Sequence, residues 1–429
     1  MSVTGIGEAG LTDLRGLVGA DYARPATIGD AVDGVPARVV VAPGTVAEAS
    51  AVLALAHRAG FNVVPRGGGT KIQWGATPTR VDLVVDMTRL DRVLEHAAGD
   101  LVVRVEAGAL LEEAQRVVSG SEQMLALDPP THGATIGGVI AANASGPRRL
   151  RYGTVRDLLI GVTVVLADGT VAKSGGKVVK NVAGYDLGKL FTGSLGTLGL
   201  IVEAIFRLHP RPAARRIVVV EVGDPGAAGA AVQALLHTPD SPLVLDALEL
   251  TWEGDGGRIA AVFGGIEPGV EAQAATATRL LGAHGVVRVL DPATEERALT
   301  RFAYPWWDGE TGLKIAHLPS DLPHVLSDAL RLSRERGLTA RIGGHAGNGI
   351  TFVGLGAGDA VTIASTIDAL RAGVGRRGGS LVALQAPREV KGMIDVWGPI
   401  GDALPLMRRV KERFDPTGIM NPGRFVGGL

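Results

Sequence analysis

Pro65-Arg66-Gly67-Gly68-Gly69-Thr70-Lys71 is the stretch on which the reading of this chain turns. It follows a short apolar run, Phe61 to Pro65, that predicts a strand. Consecutive glycines after a strand carry no Cβ, so several backbone N–H groups can turn toward one point. Such a nest binds an anion, typically a pyrophosphate, and Arg66 or Lys71 can add positive charge. Taken alone, the stretch fits an ordinary flexible loop at least as well. Just upstream, Thr45-Val46-Ala47-Glu48 is a capping box that starts a helix. The apolar face of that helix is Val52, Leu53, Leu55 and Ala56, and Gly60 is its stop.

Two further segments share this small-residue character. Asp128 to Gly146 contains Pro129, His132-Gly133-Ala134-Thr135-Ile136-Gly137-Gly138, Ala141-Ala142-Asn143 and Ser145-Gly146. Thr135 caps a short predicted helix, and Gly137 and Gly138 let a flat ligand lie against backbone. Close helix packing selects the same residues. Lys180 to Glu203 reads as a helix, a glycine turn and a strand. Leu158 to Ala172 predicts a hairpin turning at Asp168-Gly169. Beyond Pro210 and Pro212 the order becomes strand, helix, strand, strand, helix, strand over 216–290, which suggests a split βαβ module. A similar order recurs from Leu313 to Ala386. Pro405 to Leu429 reads as a helix and a tail that folds back.

Composition narrows the function. At 429 residues and 46% hydrophobic, the chain has ample core for two or three domains. A net charge of -1 and a pI of about 6.8 advertise no polyanion-binding surface, so nucleic acid is not expected as a partner. Cysteine is absent, which removes disulfides, iron–sulfur ligation and thiolate zinc. The N-terminal residues do not read as a signal peptide and no apolar run is long enough for a membrane span, so a cytoplasmic protein is expected. No Gly-x-Gly-x-x-Gly, P-loop or Gly-x-Ser-x-Gly pattern stands in the context it needs.

The glycine loop, the 128–146 segment and the 180–203 segment, in this order and spacing, resemble the FAD-binding domain of the vanillyl-alcohol oxidase/p-cresol methylhydroxylase superfamily. The likeness is greatest to its glycolate oxidase/D-lactate dehydrogenase branch, and there to the FAD-binding E subunits of glycolate oxidase. Phe414-Asp415-Pro416-Thr417-Gly418-Ile419-Met420-Asn421-Pro422-Gly423-Arg424 resembles that branch too. The resemblance implies an α+β fold: a two-subdomain FAD-binding domain over 30–212, a ferredoxin-like α+β cap over 213–404, and a C-terminal segment, 405–429, that returns to the first domain. It implies that Pro65 to Lys71 cradle the FAD pyrophosphate. Pro129, Thr135, Ile136, Gly137, Gly138, Ala141 and Gly146 would line the ribityl and ring region, and Gly153 would sit near the flavin. Gly199 and Ile201 would lie near the adenine, and Arg424 in the returning tail. Relatives that attach FAD covalently use a loop His or a later Cys; here the loop has neither, so the FAD is expected to be non-covalent.

The catalytic half departs from the pattern. Dehydrogenases of this branch carry Gly-His-x-Gly-Asp-Gly-Asn-x-His and a later Glu-His pair, a set able to hold a divalent ion. Here the first motif reads Gly344-His345-Ala346-Gly347-Asn348-Gly349-Ile350-Thr351-Phe352. The second reads Ser380 to Ala386, with Leu384 at the Glu position and Gln385 at the His position. No catalytic metal is therefore expected. The remaining catalytic candidates are His345, Arg301 and Lys314, each of which also has a structural reading: a packed histidine, a solvated arginine and an outward strand lysine.

Three functions fit. The first is the FAD-binding subunit of a glycolate oxidase complex, with an accessory or electron-transfer flavin. Its partners would be a catalytic flavoprotein subunit and an iron–sulfur subunit, with peripheral membrane attachment only through the complex. The second is a self-sufficient FAD-dependent dehydrogenase of a small 2-hydroxy acid such as glycolate or D-lactate. The third is a non-catalytic assembly subunit with a structural FAD.

Overall fold

The structure, a computed structural model, describes residues 6–177, 186–238, 242–290 and 311–429. The first sheet has the order β1-β2-β4-β3, from β1 (Ala23–Pro25), β2 (Ala37–Val41), β3 (Val63–Arg66) and β4 (Val81–Asp86). β2, β4 and β3 are parallel, and β1 runs antiparallel at the edge. Both faces of this sheet are buried, which is why its three parallel strands are rich in valine. Val39, Val41, Val63, Leu83 and Val85 enter one core, while Val40, Val64 and Val84 enter another. The helix Val46–Ala59 is the crossover between β2 and β3. Thr45 Oγ1 accepts from Glu48 N at 3.1 Å, the Glu48 carboxylate accepts from Gly44 N at 2.8 Å, and Gly60 ends the helix at φ +68°.

A five-stranded antiparallel sheet follows, with the order β5-β6-β10-β8-β9. Its strands are β5 (Val93–Ala97), β6 (Val102–Glu106), β8 (Leu159–Val165), β9 (Val171–Gly175) and β10 (Leu200–Arg207). The expected hairpin is β8–β9. Between β6 and β8 in sequence, β7 (Gln123–Met124) pairs with β11 (His209–Pro210).

The cap is two copies of one module. β12 (Ala214–Val222), β13 (Ala247–Glu253), β14 (Gly256–Gly265) and β15 (Val286–Leu290) pack with the helices Pro225–Leu236 and Glu267–Leu281. β16 (Thr311–Ala316), β17 (Ala340–His345), β18 (Ile350–Leu355) and β19 (Ser380–Gln385) pack with the helices Leu322–Glu335 and Ala360–Gly375. Each copy runs β-α-β-β-α-β, so the ferredoxin-like cap is doubled and the recurrence in the sequence is a second module. The copies join edge to edge through β13 and β17, giving one antiparallel sheet ordered β15-β12-β14-β13-β17-β18-β16-β19. Helices cover one face of this sheet. On the other face, the second module turns Lys314, Ile350, Phe352 and Leu384 toward the N-terminal sheets. The two regions are tied by Arg151 to Asp246 and by buried Lys391 to Asp33 at 2.9 Å.

The chain ends by returning. After the helix Leu404–Phe414, Val63 N donates to Ile419 O at 2.8 Å and Asn421 N donates to Val63 O at 2.7 Å. The tail thereby lies parallel along β3, beside the glycine loop. Among the described residues no helix is long and apolar enough to cross a membrane.

Candidate functional site: a nucleotide cleft and an adjoining chamber

The glycine loop leaves β3 and forms one wall of a cleft of about 800 Å³. Thr135–Ala142, Leu195–Ile201 and the tail residues Asn421 and Arg424 supply the others. The loop takes its shape from a tight contact with 133–135. A Cβ on Gly67 would overlap the Thr135 hydroxyl, and one on Gly68 would overlap the Gly133 carbonyl oxygen. Gly69 has φ +71° and turns the chain back. Among the described residues, the amides of Gly67 to Lys71 have no protein acceptor. Unpaired amides on successive residues make an anion nest.

The charges fit the same ligand. Lys71 has no carboxylate partner among the described residues; its neighbours are the Thr131 hydroxyl at 3.4 Å and the Trp74 ring at 5.5 Å. Burial pushes its pKa down to about 8. Arg424 is 2% exposed, and its guanidinium donates to the carbonyls of Ile72, Trp74 and Ala76. Burial lowers its pKa to about 10. Two cations without carboxylate partners among the described residues, Lys71 half-buried and Arg424 buried, suit an anion. Arg66 plays another part: it bonds Asp86 at 2.8 Å and Asp30 at 3.0 Å, so its charge is already neutralised. Asp30 is held well below the usual carboxylate range, chiefly by its bond to Arg24. Of the loop's two cations, Lys71 is the one left for a ligand.

Fourteen of the residues expected at the cofactor line this cleft: Pro65 to Lys71, Thr135, Gly137, Gly138, Ala141, Gly199, Ile201 and Arg424. Pro129, Ile136, Gly146 and Gly153 are not in its lining. Pro129 is buried, and the Ile136 side chain is wholly in the core. The Cβ position of Gly146 is filled by the Asp128 carbonyl, and that of Gly153 by Asp157 at 2.7 Å. Sequence reasoning missed Ile72, Met87, Ala107, Ala142, Leu195, Gly196, Leu200 and Asn421.

Ala141, Ala142 and Leu195 also line a second chamber of about 640 Å³, so the two spaces adjoin. The cap closes it. In the strand register Lys314 sits between Phe352 on β18 and Val382 on β19, so these side chains form a row on one face. Leu384 extends the row at a bulge, and Trp74, Trp397 and Arg149 come from outside the cap sheet. Lys314 is half-buried and lines this chamber, and it has no hydrogen-bond or ion-pair partner among the described residues. Burial lowers its pKa to about 8, with a smaller contribution from the charge of Arg149. Asn143 Oδ1 and Ser145 Oγ are buried here without a described partner.

His345 is not in the chamber lining. Its Nδ1 lies 2.9 and 3.0 Å from the Glu249 carboxylate oxygens, and both residues are buried. Its ring meets Phe352 edge-on at 5.5 Å. The positions that carry metal ligands in the resembled dehydrogenases, Phe352 and Leu384, meet in one apolar cluster with Ile350. Gln385 is outside it. Arg301 lies outside the described residues.

Residues 37–175 match a family of FAD binding domains, and residues 400–425 match the C-terminal domain of FAD-linked oxidases. The glycolate oxidase subunit GlcD of Bacillus subtilis is 36% identical over 211 residues, 49% of this chain and 45% of that protein. The D-lactate dehydrogenase of Archaeoglobus fulgidus is 39% identical over 173 residues, 40% of this chain and 39% of that one. The chain thus spans less than half the length of these curated relatives. An uncharacterized FAD-linked oxidoreductase of Mycobacterium tuberculosis is 26% identical over 420 residues, 90% of each chain. In fold, p-cresol methylhydroxylase with substrate bound superposes with a TM-score of 0.75 at 15% identity, covering 96% of this chain and 95% of that one. Nest, cations and returning tail agree with these matches: residues 37–175 carry an FAD binding domain, the chain shares the fold of p-cresol methylhydroxylase, and FAD is its cofactor.

Proposed function

We propose that this chain is an FAD-dependent oxidoreductase of the 2-hydroxy-acid class that binds the acid's carboxylate without a metal ion. The observation that carries the reading is Lys314: an amine with no partner among the described residues, beside Arg149, in a chamber adjoining the FAD cleft. The relatives named as glycolate oxidase, D-lactate dehydrogenase and D-2-hydroxyglutarate dehydrogenase support that substrate class. Lys314 and Arg149 hold the carboxylate, and Asn143 Oδ1 accepts a hydrogen bond from the hydroxyl. Phe352, Val382 and Leu384 exclude water. Bound FAD supplies the two-electron acceptor. This reading takes the flavin as dissociable, since the glycine loop has no His and the chain no Cys for covalent attachment.

A second reading keeps the FAD but moves the chemistry elsewhere. The apolar Phe352 and Leu384 favour an accessory or electron-transfer flavin, in a complex with a catalytic flavoprotein subunit and an iron–sulfur subunit. An anaerobic absorbance spectrum of the FAD-loaded chain separates the two. Bleaching by a 2-hydroxy acid added to the chain alone supports the first reading. Bleaching only after partner subunits are added supports the second. In the first case Lys314→Met is expected to lower kcat/KM by about 10- to 100-fold, the worth of a charge-assisted hydrogen bond.

The cleft carries its own pH signature. Lys71 is charged below about pH 8 in the free protein. An anion favours that form, so above that pH binding must take up a proton. FAD affinity is expected to be flat below about pH 8 and to fall above it, by up to about tenfold per pH unit. FAD titrations of apoprotein across pH 6.5–9.5 read this directly, roughly one unit or more either side of the transition. Lys71→Met should bind FAD more weakly with no such step; a step that persists in the variant would assign it to another group.

A further inference from the structure

We infer that the chamber selects 2-hydroxy acids bearing a branched aliphatic or aromatic side chain over compact acids such as glycolate and lactate. The inference rests on the reading of Lys314 and Arg149 as carboxylate binders. The polar seat is narrow. Lys314 stands between Phe352 and Val382 in one cross-strand row, and the rest of the cap sheet's contribution is Leu384. Trp74 packs on the same apolar cluster from the opposite side. A ligand whose charge sits on Lys314 therefore has apolar surface on either side of it.

That wall is fixed in place. The His345 ring braces Phe352 edge-on, and His345 is locked to Glu249 by two short contacts in a fully buried pair. Glu249, His345 and Ile350 are register neighbours across β13, β17 and β18, so the brace is built into the seam between the two cap modules. This contact and the packing of Ile350 and Leu384 hold Phe352 against the chamber. A compact acid leaves these side chains facing unfilled or hydrated space, whereas each buried methylene of a longer acid gains roughly fourfold in affinity. The side chains that replace a polar, metal-holding wall thus read the acid's side chain. His345 is a positioning residue in this scheme.

The test uses the full chain loaded with FAD. Glycolate, lactate, 2-hydroxy-4-methylpentanoate and 3-phenyllactate, each as separate enantiomers, are titrated anaerobically while flavin absorbance is followed. Acetate and 4-methylpentanoate, which lack the hydroxyl, are titrated by calorimetry, so that binding is read apart from reduction. Affinity is expected to rise on the order of 50-fold from lactate to 2-hydroxy-4-methylpentanoate, three carbons longer. The same trend should separate acetate from 4-methylpentanoate. Phe352→His combined with Leu384→Glu should compress the gradient to within a few-fold. Leu384→Ser, a smaller change, should compress it partly, and serves if the double variant fails to retain FAD. Lys314→Met should weaken all the acids by a similar factor and leave the gradient intact. Equal binding of short and long acids overturns the inference and leaves the proposed function standing. If no acid of any length binds or bleaches the flavin, the reading beneath it falls as well.

Discussion

Gly68→Ala is expected to give a folded protein that purifies with little or no FAD. The added methyl group would overlap the Gly133 carbonyl oxygen, a backbone atom that no rotamer change can move away. The loop or the 133–135 segment must shift, and either movement breaks the alignment of the amides of Gly67 to Lys71. Forcing a methyl into a packed site costs about 1–3 kcal/mol. If that falls on the FAD-binding conformation, affinity drops by about 10- to 100-fold. The neighbouring position is the control. Gly69 has no atom closer than 4.0 Å to its Cβ position, only a left-handed φ of +71°. Gly69→Asn, which tolerates that conformation, should retain FAD within a few-fold. Flavin-to-protein absorbance ratios and FAD titrations of the two variants decide the matter. Equal retention by both would mean that the loop is not shaped by its contact with Gly133.

How much of this could be read from the chain depends on how local each constraint is. The glycine loop and Thr135 were legible because both requirements fall on consecutive residues: missing Cβ atoms in one case, a cap in the other. Met87, Leu195 and Asn421 were not, because each joins the cleft through pairing with a distant strand or turn. Lys314 was named as a candidate, but the sequence left its outward reading standing for a different physical reason. A lysine alternating with apolar neighbours on a strand normally marks a solvent face. Here both faces of the cap sheet are covered, one by helices and the other by the N-terminal region, so alternation separates two interiors. Arg149 belongs to the run Arg148-Arg149-Leu150-Arg151, and only the folded turn decides which arginine meets the chamber while Arg151 reaches Asp246. His345 was named from its motif, with a packed histidine as its other reading. Its partner Glu249 lies 96 residues earlier, so the buried pair had no local signal. The two weak motif alignments at Phe352 and Leu384 gain meaning only together, because the fold brings both positions into one apolar cluster.

The returning tail yields the prediction with the largest effect on stability. Lys411 is buried, and its Nζ bonds Asp415 Oδ2 at 2.6 Å, Thr197 O at 2.7 Å and Met420 O at 2.8 Å. The Asp415 carboxylate in turn accepts from Ile419 N at 3.1 Å and Met420 N at 2.7 Å. One ion pair thus anchors the turn that lays Ile419–Asn421 along β3 and delivers Arg424 to the cleft. Lys411→Met would leave Asp415 charged and buried with two carbonyls unpaired, a change that typically costs about 3–5 kcal/mol. Denaturant unfolding should show that loss, and FAD affinity should fall with it, since the nest loses its tail wall. The double change Lys411→Met with Asp415→Leu removes the stranded charge and should recover part of the stability. It should not recover the FAD affinity, because the turn amides of Ile419 and Met420 then have no acceptor and the tail is no longer held. Stability and cofactor retention would separate in the double variant only if the tail is a wall of the site; if both recover together, the tail contributes packing alone and Arg424 is dispensable to the cleft.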